Sequence, residues 1–243
     1  MMRTSFAALT AAAILWAAPT MAQEAHSVKR VFKQGETDRY QTTIKFEQSP
    51  TEAVMVTTEV TREVKADGVA VVATTVDSIV LKARDTEMPF PGGSGQVVLT
   101  TYDPNGKPVK QETLGGKGNI GQLLNIARPN IRVDKPLKVG DTVEEDVPLG
   151  SDGKLKAHVT ISLTAIDRKG AELPSDCLRY KIVSETKAPA GEGATRSEIV
   201  ARVSMSDGKL ISAEGTMEGI PMPGGGTTRV TYKVVRKTEP PAK

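Results

Sequence analysis

The chain has few of the residue types that build disulfide frameworks, metal centres and catalytic triads. Its 243 residues include one cysteine, Cys177, and two histidines, His26 and His158. A lone cysteine excludes an internal disulfide, so we expect Cys177 to be a small buried residue, with an intermolecular bridge or a reactive thiol as the alternatives. A histidine-rich zinc site or a Ser/His/Asp triad would depend on these two histidines. We therefore predict no metal, no cofactor and no catalytic residue.

Exposed aromatic platforms and an excess of one charge are also missing. The single tryptophan, Trp16, lies in the amino-terminal apolar run, and the formal net charge is +3. Basic and acidic residues are interleaved, as in residues 61–67, so there is no basic patch for a nucleic acid or an anionic membrane. Sugar-binding and base-stacking surfaces usually depend on exposed aromatic residues. The composition predicts a solvated surface of mixed charge and no nucleic-acid partner.

The chain has a single long apolar run, and it lies at the amino terminus. Arg3 precedes the apolar residues 6–18, and Thr20-Met21-Ala22 follow. This is the layout of a cleavable secretory signal peptide, and the run is shorter than the ~20 apolar residues that span a bilayer. Cleavage after Ala22 would leave Gln23 as the first residue, which is not the cysteine of an acyl-anchored lipoprotein. We predict a periplasmic or secreted protein without stable membrane insertion.

Alternation of apolar and polar residues dominates the rest of the chain. It is clearest in residues 39–46, 54–61, 155–164 and 229–234. One apolar and one polar side per strand is typical of antiparallel sheets, and glycine-containing turns separate the runs. We predict an all-β protein of about ten or eleven strands, either an antiparallel sandwich or a partly open, curved β-barrel.

Two segments depart from the strand pattern. Residues 119–127 predict one short helix, which Arg128-Pro129 would end. The last residues, 237–243, contain Pro240-Pro241 and are predicted to form a disordered tail.

The two halves of the chain resemble each other in their turns. Three matches recur in the same order at offsets of 105, 102 and 102 residues: Gly35-Glu36-Thr37 with Gly140-Asp141-Thr142, Gly68 with Gly170, and Asn105-Gly106-Lys107 with Asp207-Gly208-Lys209. We predict one β-rich domain over residues 23–236, built from duplicated meander halves at 30–116 and 132–236. A competing match, residues 88–93 with 220–225, has an offset of 132 and cannot belong to the same duplication.

Two proline-glycine loops are the strongest candidates for a contact site. Their sequences are Met88-Pro89-Phe90-Pro91-Gly92-Gly93 and Ile220-Pro221-Met222-Pro223-Gly224-Gly225. The prolines fix an extended path, so Met88, Phe90, Ile220 and Met222 are presented on stiff backbone. Apolar side chains on rigid loops can line the mouth of a cavity or hold a partner. The alternative is that each loop caps its own end of the core.

A glycine-rich segment, Gly116-Lys117-Gly118-Asn119-Ile120-Gly121, has the spacing of a dinucleotide fingerprint but lacks its context. The fingerprint needs a buried parallel strand before the loop, whereas residues 108–113 are half polar and hairpin-like. Free backbone amides at Gly118 and Asn119 are a candidate anion site at the start of the predicted helix. A flexible glycine linker between the halves is the alternative.

His158 is the remaining candidate for chemistry. It lies on the polar side of its strand pattern, so we expect a solvated residue. The adjacent acids Glu144, Glu145 and Asp146 have alternating side-chain directions on a strand, so neighbours cannot share one substrate. A paired-carboxylate hydrolase would therefore need a cleft in which acids from different strands converge around His158.

The order of several motifs resembles a known family. The motifs are Gly35-Glu36-Thr37, Tyr40, Val76-Asp77-Ser78-Ile79, Met88-Pro89, Thr101-Tyr102-Asp103 and residues 136–142. Over most of the mature chain they resemble the exported bacterial β-rich proteins catalogued as domain of unknown function 6263. Members of that family often carry a lipoprotein cysteine, which this chain lacks. The resemblance implies export and a β-rich fold, and it supplies no catalytic residues. A looser likeness of architecture is to the periplasmic half-barrels that carry lipids or lipoproteins.

These observations lead to two function hypotheses. The first is an exported, non-catalytic protein that binds an apolar ligand, lipid-like cargo or chain segment in a curved sheet, with Phe90 and Met222 at the entrance. The second is an envelope interaction or scaffold protein that docks a protein partner through the same loops or through an exposed strand edge. An apolar hollow of ~300 Å³ or more would favour the carrier, and a filled core with an apolar outer patch would favour the scaffold.

Overall fold

The computed structural model describes residues 24–84, 86–90, 94–114, 133, 135–149, 155–171, 173–186, 194–221 and 226–237. Within these residues all regular structure is β-strand, so the all-β prediction is confirmed. The predicted signal peptide, the predicted helix at 119–127 and residues 238–243 of the predicted tail lie outside the described residues.

Twelve strands follow one another along the described chain. They are β1 (Thr37–Phe46), β2 (Thr51–Val64), β3 (Ala70–Ala83), β4 (Thr86–Pro89), β5 (Val97–Tyr102), β6 (Pro108–Leu114), β7 (Thr142–Leu149), β8 (Leu155–Asp167), β9 (Cys177–Thr186), β10 (Thr195–Ser204), β11 (Leu210–Pro221) and β12 (Thr227–Lys237). The segments predicted from alternation lie in β1, β2, β8 and β12.

All twelve strands belong to one antiparallel sheet. Its order is β6-β5-β3-β2-β1-β12-β11-β10-β9-β8-β7, and β4 pairs with the other part of β3. The sheet does not close into a barrel, because β6 and β7 end it and no pairing joins them in the described part of the chain. The antiparallel arrangement is as predicted, and the strands form one open sheet rather than the two sheets of a sandwich.

The two halves of the sheet have the same strand order. Strands β1, β2, β3, β5 and β6 are neighbours in that order, as are β7, β8, β9, β10 and β11, and β12 joins the halves between β1 and β11. The turns before β1 and β7 also match. The Gly35 amide donates to the Thr61 carbonyl at 2.8 Å, and the Gly140 amide donates to the Leu163 carbonyl at 2.8 Å. Both glycines have the positive φ that other residues rarely adopt.

One face of the sheet carries an apolar line of residues across ten strands. Residues that face each other in neighbouring strands form a continuous line, here called the inner row: Met88, Leu81, Ala53, Ile44, Tyr232, Gly215, Ile199, Ile182, Ile161 and Val143. The face that carries it is the inner face. Most of the row belongs to the main core cluster, against which Val28, Val133 and Val139 also pack. Burial of this face is the main source of stability.

From β12 to β7 the opposite, outer face is mainly polar. One line of facing residues alternates basic and acidic side chains across six strands: Arg229, Glu218, Arg196, Glu185, His158 and Asp146. The Arg196–Glu185 pair is 2.9 Å apart and the Arg229–Glu218 pair 3.5 Å apart. Opposite charges in facing positions stabilise a sheet modestly, and exposed pairs contribute about 0–1 kcal/mol each. This face is the solvated surface that the composition predicts.

The sheet curls inward at the end that carries the glycine turns, here called the turn end. Strands β5 and β11 are five strand spacings apart, which is roughly 24 Å in a flat sheet. Yet residues 26–32, the amino-terminal strap, contact the turns beside both strands. A Cβ on Gly208 would lie 2.4 Å from the Lys29 carbonyl oxygen, and one on Gly106 would lie 3.3 Å from the Arg30 Cβ. The strap therefore bridges the two halves.

Candidate functional site

The amino-terminal strap closes the turn end of the inner face. His26 and Leu137 exchange backbone hydrogen bonds of 2.7 and 2.9 Å, and the Val31 amide donates to the Asp207 carbonyl at 2.9 Å. Leu137 is buried in the main core cluster. Because the strap contacts both halves, it fixes the curvature of the sheet at this end.

Arg30 is the strap residue that enters the first half. Its guanidinium donates to Glu59 Oε2 at 2.6 Å and to the Tyr102 hydroxyl at 3.5 Å. It also lies 5.0 Å from the ring centroid of Phe32 and 5.1 Å from that of Tyr102, within the range of cation–π attraction. Burial alone would lower the pKa of Arg30, but Glu59 and the tyrosines outweigh it and raise that pKa. The Arg30 guanidinium therefore stays protonated beside Glu59.

A second group of buried ion pairs lies beside it. Lys209 Nζ contacts Asp38 Oδ2 at 2.6 Å and Glu36 Oε1 at 2.8 Å, and Lys209 is 2% exposed. Arg236 contacts Asp38 as well, and it bonds Asp207 Oδ2 at 3.1 Å. Burial would raise the pKa of Asp207, but the Lys209 amide and Arg236 lower it. Buried charges are costly unless they are paired. Here Lys209 contacts two carboxylates, and Asp38 contacts two cations.

The opposite end of the sheet, here called the loop end, has an apolar rim. Met88 faces Leu81 in the inner row, and Phe90 follows two residues later, so both lie on the inner face. Met88 is 48% exposed and Phe90 is 39% exposed. Leu81 and Phe46 are partly buried against the main core cluster. The inner face is therefore accessible where the edge strand β4 lies beside the loop end of β3.

The other predicted contact residues have different positions. Ile220 lies in β11 opposite Thr228 and is partly buried against the main core cluster, which agrees with the alternative that its loop caps the core. Met222 lies outside the described residues, as do Gly118 and Asn119 of the predicted anion site. Of the predicted contact residues, Met88 and Phe90 are the two that the structure describes as exposed.

An open groove lies on the outer face. It has a volume of about 790 Å³ and crosses β2, β1, β12, β11 and β10. Its charged lining residues are Lys45, Glu52, Glu198, Glu214, Arg229 and Lys233. Lys45 and Glu52 pair at 3.5 Å. Its mixed charges are those of the solvated face and do not make it the apolar hollow that a carrier requires.

Two carboxylates do converge on His158, but on open surface. Nδ1 of His158 is 3.1 Å from Asp146 Oδ1, and Nε2 is 3.9 Å from Glu144 Oε2. The side chains of all three are more than half exposed. His158 is thus the solvated strand residue that the sequence predicts, and the three form a surface cluster rather than a cleft.

Cys177 is fully buried at the start of β9, as predicted. Burial raises the pKa of its thiol, which donates to the Ser175 carbonyl at 3.2 Å. No group of three or more metal-ligating side chains occurs in the part of the chain that the structure describes. That same part contains no helix long and apolar enough to cross a membrane.

Sequence reasoning did not find the buried ion pairs. Lys209 belongs to an Asp-Gly-Lys turn, which is a pattern typical of exposed turns. Its equivalent in the first half, Lys107, is indeed exposed. The burial of Lys209 arises from Asp38, which is 171 residues away in sequence. No local signal indicates such a contact.

Comparison with known proteins finds no matching family model and no curated protein of significant similarity. The likeness to the exported β-rich family therefore stays a prediction, and the function has to be argued from the fold and its side chains.

Proposed function

We propose that this protein is an exported, non-catalytic binding protein that takes up an apolar, lipid-like molecule on the inner face of its sheet through the loop end. The observation that carries the proposal is the gradient of exposure along the inner row. Met88 at the rim is 48% exposed, Leu81 is partly buried, and Ala53 and Ile44 are 5% and 2% exposed. An apolar path that leads from solvent into the interior is a typical feature of an apolar binding site.

The asymmetry of the two ends supports the same function. Arg30, Lys209 and their acidic partners close the turn end, so the loop end is the route by which an apolar molecule reaches the inner face. Phe90 adds a second exposed apolar side chain to the rim. Exposed apolar groups that lie together at a rim favour contact with an apolar partner over solvation.

An envelope interaction or scaffold protein is the second candidate, and the exposed Val109 and Leu114 of the end strand β6 favour it. The strand edges argue against pairing with a partner strand. Proline occurs in β4 and at the start of β6, and Glu145 in the edge strand β7 faces Val159 on the inner side. Prolines and inward charges are devices that prevent edge-to-edge association.

Native mass spectrometry of the mature protein, purified from its exported compartment, tests the proposal. We expect an adduct of lipid mass that organic extraction removes. Replacing Met88 and Phe90 by serine should abolish or strongly reduce the adduct, because the rim becomes polar. Val109→Ser is the matched control, since Val109 is also an exposed apolar residue but lies in β6. A bare mass in several gentle conditions would favour the scaffold, and an adduct unchanged by the rim variant would contradict the entrance.

A further inference from the structure

Two buried hydroxyl groups near the centre of the inner face have no hydrogen-bond partner among the described residues. They are Thr42 Oγ1 in β1 and Tyr232 Oη in β12. Thr42 is 1% exposed and Tyr232 is 4% exposed. Most buried polar atoms in folded proteins are hydrogen-bonded, and an unpaired one costs about 1–3 kcal/mol. Two such atoms on neighbouring strands mark a position where a polar partner belongs.

The two side chains are neighbours on the same face. Tyr232 faces Ile44, and Thr42 faces Val234, so Thr42 and Tyr232 occupy diagonal positions on paired strands. Diagonal residues are about 7–8 Å apart at the backbone, within reach of long aromatic side chains. One small polar group between them could therefore accept hydrogen bonds from both hydroxyls.

The inner row connects this position to the rim. Tyr232 is the fifth residue of the row counted from Met88, with Leu81, Ala53 and Ile44 between them. Four strand spacings amount to roughly 19 Å, which is the scale of a long hydrocarbon chain. A molecule that lies along the row would have one end at the rim and the other at the hydroxyls.

The surroundings of the hydroxyls favour an uncharged oxygen. Burial raises the pKa of Tyr232, and no charged side chain contributes to that shift. Tyr40 differs, because Glu59, Arg30, Asp38 and Arg236 all act on its pKa in addition to burial. A carboxylate beside Tyr232 would have no counter-ion, and burying an unpaired charge is far more costly than burying a hydrogen-bonded neutral group.

We propose that Thr42 and Tyr232 bind the neutral oxygen of a long-chain ester or alcohol whose hydrocarbon chain lies along the inner row toward Met88. This inference rests on the proposed function and specifies its ligand class. The two hydroxyls donate hydrogen bonds to the ligand oxygen, and the apolar row excludes water from the hydrocarbon chain. A fatty acid anion is disfavoured, and a plain hydrocarbon binds without the polar contribution.

Three probes of equal chain length test the inference: hexadecane, methyl palmitate and palmitate. The mature protein is delipidated, the probes are delivered from cyclodextrin, and binding is measured by native mass spectrometry and by the rise in thermal midpoint. A neutral hydrogen bond changes affinity by about fivefold. We expect the wild type to prefer methyl palmitate over hexadecane by about fivefold to twenty-five-fold, and palmitate to bind most weakly.

The near-isosteric variants Tyr232→Phe and Thr42→Val should reduce this preference, and the double variant should bind methyl palmitate no more tightly than hexadecane. Tyr180→Phe is the matched control, because Tyr180 is another buried tyrosine of the inner face and its hydroxyl is not among the unpartnered atoms. Circular dichroism checks that each variant is folded. The free double variant should be as stable as the wild type or more so, since it removes two unpaired polar groups.

The outcomes separate this inference from the proposed function. If no probe binds, both are overturned. If all probes bind and the double variant keeps its preference for methyl palmitate, the protein is a carrier but these hydroxyls do not select its ligand. If palmitate binds more tightly than methyl palmitate, the neutral-oxygen inference is wrong.

Discussion

In the second half of the sheet one line of inner-face residues at the turn end is apolar, whereas three of the four equivalent positions in the first half are polar. The matching bonds of Gly35 to Thr61 and of Gly140 to Leu163 align the halves. Facing residues Asp38, Glu59, Thr74 and Val98 in the first half then correspond to Val143, Ile161, Ile182 and Ile199 in the second.

The difference shows that one backbone arrangement accommodates two kinds of interior. In the second half, isoleucines bury apolar surface and need no partner. In the first half, Asp38 and Glu59 are nearly as buried and need cations, which the strap and the Asp-Gly-Lys turn supply through Arg30 and Lys209. The polar interior thus depends on long-range contacts, and the apolar interior depends on local packing.

Placing a carboxylate in the apolar half should have the largest effect. Ile161→Glu introduces a charge at the equivalent of Glu59, and the buried cation of the second half, Lys209, already pairs with Asp38 and Glu36. We expect a loss of more than about 4 kcal/mol of unfolding free energy at pH 7, measured by urea denaturation. Burial raises the pKa of the new carboxyl, so the loss should shrink as the pH falls toward about 4 and the group is protonated.

Ile161→Val is the control for this change, because it removes one methylene without adding charge and should cost about 0.5–1.5 kcal/mol. A similar loss for both variants, without pH dependence, would mean that the second half is not the dry interior that the inner row indicates.

The reverse change tests the polar half. Glu59→Ile leaves the half-buried Arg30 without its carboxylate. Removing one partner of a fully buried pair costs about 3–5 kcal/mol, so we expect a loss at the lower end of that range. The double variant Arg30→Met with Glu59→Ile should restore most of that stability, because it makes the first half resemble the second. Denaturation of the four proteins of this cycle gives the coupling energy. If the two single losses simply add in the double variant, the ion pair does not hold the strap.

The strands were predictable from sequence, because alternation is a local property. Tyr40, Thr42, Ile44 and Phe46 alternate with polar residues, and this pattern predicts β1. The alternation from Leu155 to Leu163 predicts most of β8. The insertion of β12 between β1 and β11 was not predictable, since strand order depends on contacts between distant residues.

The candidate site was predictable only in part. Proline and glycine around Met88 and Phe90 indicate a stiff loop with apolar side chains, and that signal is local. The unpartnered hydroxyls of Thr42 and Tyr232 carry no such signal, because a threonine and a tyrosine in strands are ordinary. Their meaning depends on which neighbours surround them after folding.

The smallest expected effect compares the equivalent turns at Gly106 and Gly208. Both glycines have positive φ, so alanine costs about 1–2 kcal/mol at either position. At Gly208 the new Cβ would also lie 2.4 Å from the Lys29 carbonyl oxygen, whereas at Gly106 it would lie 3.3 Å from the Arg30 Cβ, a contact that needs only a small displacement. We expect Gly208→Ala to cost about 1–3 kcal/mol more than Gly106→Ala, as overpacking typically does.

The two alanine variants also report on the strap. In Gly208→Ala the new Cβ clashes with the backbone carbonyl of Lys29. Residues 26–32 must therefore move away from the β10–β11 turn. Trypsin cleavage after Lys29 and Arg30 should then be faster than in the wild type, because local opening exposes the strap. Gly35→Ala is the control, since its Cβ would meet nothing within 4 Å and only the cost of its positive φ applies. Equal cleavage rates in all three variants would mean that the Gly208 contact does not hold the strap, and the curvature of the sheet would then depend on the ion pairs alone.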